Sequence, residues 1–563
     1  MSHGPLEAKV AERLALWEEE RVADRLWARD GTLWSASGKD PEEVARWLGW
    51  LDLPNGMTSE AADCDRLARE VRADGYTRAA VLGMGGSSLA PELFGRAFGG
   101  PMAGERGLEL RILDSTHPDA VRGFREWAQS ARTLLCVSSK SGSTTEPNAF
   151  HAAMADFAPA LDFIAITDPG SSLAETARAQ EFRAIVDGRP DVGGRYSALS
   201  AFGLLPAALV GVELERLLAS ASAMADACRR EAGANPGLRL GAWIGEAALS
   251  GRDKLTILAS PRLASFGDWA EQLVAESTGK EGVGVVPIVR EPLRAARDYA
   301  DDRCFVLITT AQEHDTEREA LAASLESMGH PLMRIGLEDA SAVGGEFVRW
   351  EVATAALGIV LGIDPFDQPN VQESKDATRR LLEAYRRDGS LPAPAPSVAE
   401  SGVSALADAQ ALGDEPVTVD GALRALLETV RPGDYFAILP YLPQDPDVEA
   451  KLQGLRSRIG RALGVATMLG FGPRFLHSTG QLYKGGPPTG VYLQITAEPR
   501  RDLPIPGWEE SFGTLIAAQA LGDLESLQQR GRRALRLDFG SPDDVPGQLE
   551  SLLARALPAG IHA

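Results

Sequence analysis

The chain has 563 residues, 44% of them apolar and 24% charged, a composition that excludes collagen-like, disordered and small disulfide-stapled chains. At roughly 150 residues per domain the length allows about four structural units, and two or three larger ones fit equally well. Lys+Arg 57 against Asp+Glu 79 gives a formal net charge of -22, which repels nucleic acid and anionic membranes, so neither is an expected partner.

The first 75 residues read as helices around one turn segment. Leu6, Val10, Leu14, Trp17 and Leu26 recur at helical spacing, and WSASGKD has turn chemistry. Acidic residues throughout this stretch argue against a signal peptide or a transmembrane span. Over 76–167 short β-rich runs alternate with helical ones, from TRAAVLGM to LDFIAIT, the rhythm of a parallel sheet covered by helices. A second round begins near Leu238 with KLTILAS, FGDWAEQLVAEST, DRCFVLITT and PLMRIGL, and FVRWEVATAALGIVLGI adds a strongly apolar helix. Residues 387–416, rich in Ala, Pro, Ser and Gly, read as a linker. DYFAILPYL, VYLQIT and two helical runs then describe a third α/β piece. The expected division is a helical segment 1–75, α/β units at 76–235 and 236–386, the linker, and a C-terminal α/β region at 417–563. Cys64, Cys136, Cys228 and Cys304 are far apart, without metal-ligand spacing, and read as reduced thiols of a cytoplasmic protein.

Three segments carry most of the chemical signal. In CVSSKSGSTTEP the strand ends near Val137, and Ser138, Ser139, Lys140, Ser141, Gly142, Ser143, Thr144 and Thr145 lead into a helix near Glu146. Hydroxyls, free backbone N–H groups, a helix dipole and one ammonium in a small volume suit a phosphate dianion, whereas an ordinary helix cap needs one hydroxyl and not six. VLGMGGSSLAPELF offers Gly83, Gly85, Gly86, Ser87 and Ser88 as a second wall; it lacks the downstream G-K-S/T of a P-loop and is a poor dinucleotide fingerprint. In DWAEQLVAESTGK, Gln272 and Glu276 are four apart on one helix face, where a carboxylate beside a cleft is a candidate general base. VGGRYSALS adds Arg195, FDQPNVQESK adds Gln368 and Lys375, and RFLHSTGQLYKGG adds His477, Gln481 and Lys484.

Together GMGGSSLAP, SSKSGSTTEP, GGRYSALS, EQLVAESTGK, PFDQPNVQESK and LHSTGQLYKGG resemble the motif set of the glucose-6-phosphate isomerase family, and in particular the isomerase half of bifunctional transaldolase/glucose-6-phosphate isomerases. The resemblance spans about 79–496. Too few residues precede Tyr76 for a transaldolase barrel, so a stand-alone isomerase is expected. The resemblance implies tandem sugar-isomerase domains, in agreement with the two α/β units. It assigns the phosphate to Gly86 and Ser87 and to Ser139, Lys140, Ser141, Ser143 and Thr144. Glu276 becomes the base that moves a proton between carbon 1 and carbon 2, with Gln272 lining the same face. Arg195 stabilises the charge of the intermediate. His477 and Lys375 handle ring opening, Glu146 supports the histidine, and Gln368 lines the site. No metal and no cofactor is implied, and the partner is a hexose phosphate.

Two features depart from the family pattern. His477 follows Lys375 here, whereas better-known members have the histidine segment between the glutamate and lysine segments; and Ser88 stands where many members have Asp. The family's histidine commonly arrives from a partner subunit, which suggests a homodimer and leaves open which chain delivers His477. The activity implied is interconversion of glucose 6-phosphate and fructose 6-phosphate. Alternatives are a dual phosphoglucose/phosphomannose isomerase or a non-catalytic sugar-phosphate-binding regulator; a glutamine-dependent hexosamine synthase would need an N-terminal nucleophilic Cys.

Overall fold

The computed structural model describes residues 4–99, 107–407 and 418–557. Three sheets organise them. The first is wholly parallel, in the order β2-β1-β3-β4-β5, from β1 (Arg78–Gly83), β2 (Glu109–Leu113), β3 (Thr133–Ser138), β4 (Phe163–Thr167) and β5 (Ala184–Asp187). All of β3 and β4 is buried, which is why they read as unbroken apolar runs rather than alternating ones. Strand order reverses between β1 and β3, whose register pairs Leu82 with Val137 and Gly83 with Ser138. The glycine loop and the hydroxyl loop therefore leave neighbouring strands at the same level, at the topological switch point where open α/β sheets bind ligands.

The second sheet is parallel, in the order β7-β6-β8-β9, from β6 (Lys254–Ala259), β7 (Val286–Ile288), β8 (Arg303–Thr310) and β9 (Leu332–Leu337). The Glu276 helix (Ala264–Thr278) follows β6 and is buried along most of its length. Behind it lies the apolar helix Val343–Leu361, packed on Leu214–Ala227 and Pro236–Leu249. No described helix is long and apolar enough to cross a membrane.

The third sheet runs β10-β11-β15-β14-β12-β13, from β10 (Val398–Glu400), β11 (Val403–Ala407), β12 (Tyr435–Tyr441), β13 (Ala466–Leu469), β14 (Gly490–Ala497) and β15 (Arg533–Phe539). Its first two strands correct the reading of 387–416 as a linker. The helix Pro369–Asp388 runs into that segment, and Val398 to Ala407 form an antiparallel hairpin against β15, with Ala405 opposite Leu537 and fully buried. Small residues carry this alternation, so composition masked it; 408–416 lie outside the described residues.

Helices of the C-terminal half cover a face of the first sheet. Leu381 and Leu382 of the helix Pro369–Asp388, with Phe512, Leu515 and Leu521 of the helix Phe512–Gln529, join Leu82, Val137 and Phe150 in one apolar cluster. The Phe150 and Phe512 rings stack with centroids 6.4 Å apart. This packing carries the late segments of the chain to the hydroxyl loop. It is locked from behind by Lys484, whose ammonium donates to Asp523 at 2.7 Å with side-chain exposures of 1% and 0%. Lys484 is thus a structural residue of the LYKGG segment. Lys484→Met, which strands a buried carboxylate, is expected to lower unfolding free energy by roughly 3–5 kcal/mol, and the double replacement Lys484→Met/Asp523→Leu to recover most of it. Denaturant titration checks this; a single-variant loss below about 1 kcal/mol would show that the pair contributes no more than a surface bridge.

Candidate active site

The glycine loop is where three motifs converge. Gly85 adopts a φ of +55°, and a Cβ there would lie 2.8 Å from the carbonyl oxygen of His477 and 2.9 Å from Nε2 of Gln272. At Gly86 a Cβ would fall 2.0 Å from the carbonyl oxygen of Gly194, the residue before Arg195. Hydrogen in place of a side chain lets the histidine, glutamate and arginine segments close on this loop. Ser87 is buried beside Gly83 and Ser138, and Ser88 is fully buried.

In the hydroxyl loop, Ser139 Oγ donates to Thr144 Oγ1 (3.2 Å), and Ser143 Oγ donates to Ser141 Oγ (3.1 Å). Thr144 is the N-cap of the helix Thr145–Ala155 but its side chain makes no capping bond. The hydroxyls are thus paired with one another at an 11-residue helix N-terminus, a polar cradle suited to a dianion. Lys140 departs from expectation: its ammonium pairs with Asp168, just beyond β4, and donates to the carbonyl of Arg189 at 2.9 Å. A carboxylate 28 residues away thus engages the charge that the sequence assigns to the phosphate.

Arg195 is the hub of the buried part, with side-chain exposure of 2%. Its Nε donates to Ser277 (2.7 Å), Nη1 to Glu276 Oε1 (3.1 Å) and Gln368 Oε1 (2.8 Å), and Nη2 to the carbonyls of Pro365 (2.8 Å) and Asp367 (3.1 Å). Lys280 grips the same loop, donating to the carbonyl of Asp364 (2.7 Å) and to the carbonyl (2.5 Å) and carboxylate (2.6 Å) of Asp367. Burial, and then the charge of Arg195, lower this ammonium to about 8 against the pull of Asp367. The other oxygen of Glu276 accepts from Gln272 Nε2 (3.0 Å), and the same amide donates to the backbone carbonyl of His477 (2.8 Å). Gln272 therefore joins the candidate base to the histidine segment. Gln481 ties that segment onward, donating to the carbonyl of Gly279 (2.8 Å) and to Asn370 (2.7 Å).

His477 meets Glu146 within the one chain, Nε2 to Oε1 at 3.0 Å. Burial raises the Glu146 carboxyl, but the charge and hydrogen bond of His477, with Lys375 beyond, outweigh it and hold the group below its ordinary value. Gln519 Nε2 also donates to Glu146 Oε1 (2.7 Å) while its oxygen accepts from Thr116 (2.6 Å). The sequence reading omits Gln519; its signal is one amide in the otherwise apolar run LIAAQAL of a buried helix. Ser277, Lys280 and Thr116 are also absent from the expected set. A cavity of about 420 Å³ opens over the dyad, lined among others by Ser143, Thr144, Glu146, Lys375, His477 and Trp508. Lys375 is exposed at its wall, while Glu276, Arg195, Gln272 and Gln368 back the site without lining this cavity.

Such a site can anchor a dianion at one end, exchange a proton through a carboxylate flanked by a guanidinium and an amide, and transfer another through a histidine oriented by a carboxylate. No protein-family model matches the chain. Among curated proteins it is 28% identical over 413 residues to the glucose-6-phosphate isomerase of Rubrobacter xylanophilus, covering 64% of this chain and 93% of that one. It is 31% identical over 384 residues to the protein named probable glucose-6-phosphate isomerase in Natronomonas pharaonis, covering 60% and 86%. Two solved structures share the fold: a hypothetical protein of Thermus thermophilus (TM-score 0.57, 24% identity, 67% of this chain and 98% of that one) and a glucose-6-phosphate isomerase of Chlamydia trachomatis (0.52, 18%, 67% and 86%). With most of its relatives' length matched, two of its three sheets parallel throughout, and the expected carboxylate, guanidinium and histidine gathered around one glycine loop, this chain belongs to the glucose-6-phosphate isomerase family.

Proposed function

We propose that the chain is an aldose–ketose isomerase that interconverts glucose 6-phosphate and fructose 6-phosphate. The observation that carries this reading is the Glu276 carboxylate, held by Arg195 at 3.1 Å and Gln272 at 3.0 Å beside the segment that delivers His477. The hydroxyl loop takes the phosphate, which lets binding energy far from the reacting carbons position the open-chain sugar. His477, oriented by Glu146, gives a proton to the ring oxygen as the anomeric hydroxyl loses its own to solvent beside Lys375, and the bond from the anomeric carbon to the ring oxygen breaks. Glu276 then removes the proton on carbon 2 and returns it to carbon 1 on the same face of a planar enediolate, while the hydroxyl proton of carbon 2 passes through solvent to the oxygen on carbon 1. Arg195 stabilises the developing oxyanion.

A sugar-phosphate regulator would need only the two phosphate-facing loops, so the Glu276 and His477 arrangements weigh against that alternative. The net charge of -22 favours neither nucleic acid nor anionic membrane as a partner, and four buried free cysteines accord with a reducing cytoplasm. A coupled assay from fructose 6-phosphate, with mannose 6-phosphate in parallel and chelator present, tests the reading. Chelator-resistant formation of glucose 6-phosphate is expected. Turnover of mannose 6-phosphate as well would extend the substrate range to the epimer, and saturable binding without turnover would replace the isomerase by the regulator.

A further inference from the structure

His477 ends a single 3-10 turn, Arg474–His477, in which residues three apart lie one above the other. The first residue of that turn makes an unusual attachment. Arg474 pairs with Glu92 and, at 3.0 Å, with Asp114, the three side chains being 17%, 10% and 8% exposed. Glu92 lies in the first turn of the helix Leu89–Phe98, which starts at the glycine loop, and Asp114 directly follows β2. Two carboxylates of the first sheet's unit thus receive one guanidinium from the C-terminal region. Burial pulls Glu92 upward, but Arg474 and Arg96 outweigh it and hold its carboxyl at about 2, whereas burial and the neighbouring Glu92 raise Asp114 against the pull of Arg474, so Glu92 is the firmly charged arm of the clamp.

Besides the Gln272 bond, the turn's backbone bonds are local, to Phe471, Pro473 and Ser478. Its remaining side chains, Phe475 and Leu476, pack into an apolar cluster with Tyr441 and Tyr483 and can slide there without breaking a hydrogen bond. The Gln272 bond fixes only the backbone carbonyl of His477. Gly85 meets the carbonyl and Cβ of His477, and among the turn's other side chains Arg474 alone carries a charged attachment that sets its rotation and the aim of the imidazole at Glu146.

We infer that Arg474 is a positioning residue for His477, its ion pairs with Glu92 and Asp114 seating the imidazole on Glu146 in register for proton transfer to the sugar ring. The inference rests on the ring-opening role proposed for His477. The rest of the C-terminal region is held by the Lys484–Asp523 pair and the apolar clusters; without Arg474, Glu92 keeps Arg96 but Asp114 is stranded, so some loss of stability accompanies the effect and activity is read well below the variant's unfolding midpoint.

The test is a double-mutant cycle on the full-length chain. Arg474→Met, which keeps an unbranched apolar stem of similar reach, is expected to lower kcat on cyclic hexose 6-phosphate by about 100-fold, the scale of a one-ångström misplacement. The inhibition constant of glucitol 6-phosphate, an acyclic ligand that needs no ring opening, is expected to stay within about twofold. In a His477→Asn background the Arg474 replacement is expected to cost nothing further, because both act through one group. Glu92→Gln approaches the clamp from the other side and should reproduce a weaker form of the effect; Arg474→Lys should recover part of the activity. Additive losses in the cycle, or weakening of glucitol 6-phosphate in step with kcat, would overturn the inference in favour of general disordering. Normal turnover by Arg474→Met beside an impaired His477→Asn would overturn it while leaving the ring-opening role intact; normal turnover by His477→Asn would remove both.

Discussion

Glu276→Gln is expected to lower kcat by on the order of 10³-fold, within the range that a positioned general base contributes. The replacement is nearly isosteric, so its amide oxygen can still accept from Arg195 and the helix Ala264–Thr278 keeps its packing. What is lost is the only basic oxygen pair among these contacts, since Gln272 and Gln368 are amides and Arg195 carries no lone pair to offer. Binding is a separate matter, because the phosphate cradle lies on the loop after β3 and makes no hydrogen bond with Glu276. The inhibition constant of an acyclic hexitol 6-phosphate should therefore hold. Exchange of the carbon-2 proton with solvent provides the direct check. Turnover within tenfold of the parent would remove Glu276 from the role of base, and a collapse of inhibitor binding would instead make it a substrate ligand.

Arg195→Lys is the second large effect. One guanidinium makes five hydrogen bonds in a plane here, to Ser277, Glu276, Gln368 and the carbonyls of Pro365 and Asp367. An ammonium has three donors around a point and cannot reproduce that fan, so the substitution keeps the charge and loses the geometry. All five N–H groups are committed to protein acceptors, so the guanidinium acts on the developing oxyanion through its fixed charge and by seating Glu276, and loss of that placement should lower kcat by roughly 10²-fold. The buried carbonyl of Pro365 would keep only the long bond from the Tyr196 hydroxyl (3.5 Å), a penalty of about 1 kcal/mol visible as a lower denaturation midpoint. Asp367 would keep its bond to Lys280, which limits the damage to the loop. A rise in KM with kcat preserved would show that Arg195 binds substrate and transition state equally, and its assigned role would fall.

The parts of this arrangement that the sequence made legible are those written locally. A strand, six hydroxyls and a helix start within twelve residues leave little freedom for the loop at 136–147, and the four-residue spacing of Gln272 and Glu276 fixes their common face. Contacts across long separations were less accessible. Lys140 and Asp168 stand 28 residues apart on neighbouring loops of one sheet, and nothing in either motif announces the other. Gln519 reaches Glu146 across 373 residues, because an apolar helix face, Phe512 and Leu515 against Phe150, decides where that amide lands. The hairpin at Val398–Ala407 was hidden because small inward residues alternate too quietly to stand out from a Pro/Ala-rich background.

The place of His477 in the chain has a kinetic consequence. An imidazole lent by a neighbouring molecule makes the rate law depend on how many molecules are paired, so specific activity fades as the solution is diluted below the dissociation constant. Here the imidazole and its carboxylate are tethered by a continuous backbone and held by the core that joins the third sheet's helices to the first sheet. Their encounter is therefore a property of folding and carries no concentration term, and under the role proposed for His477 the specific activity is expected to hold on dilution.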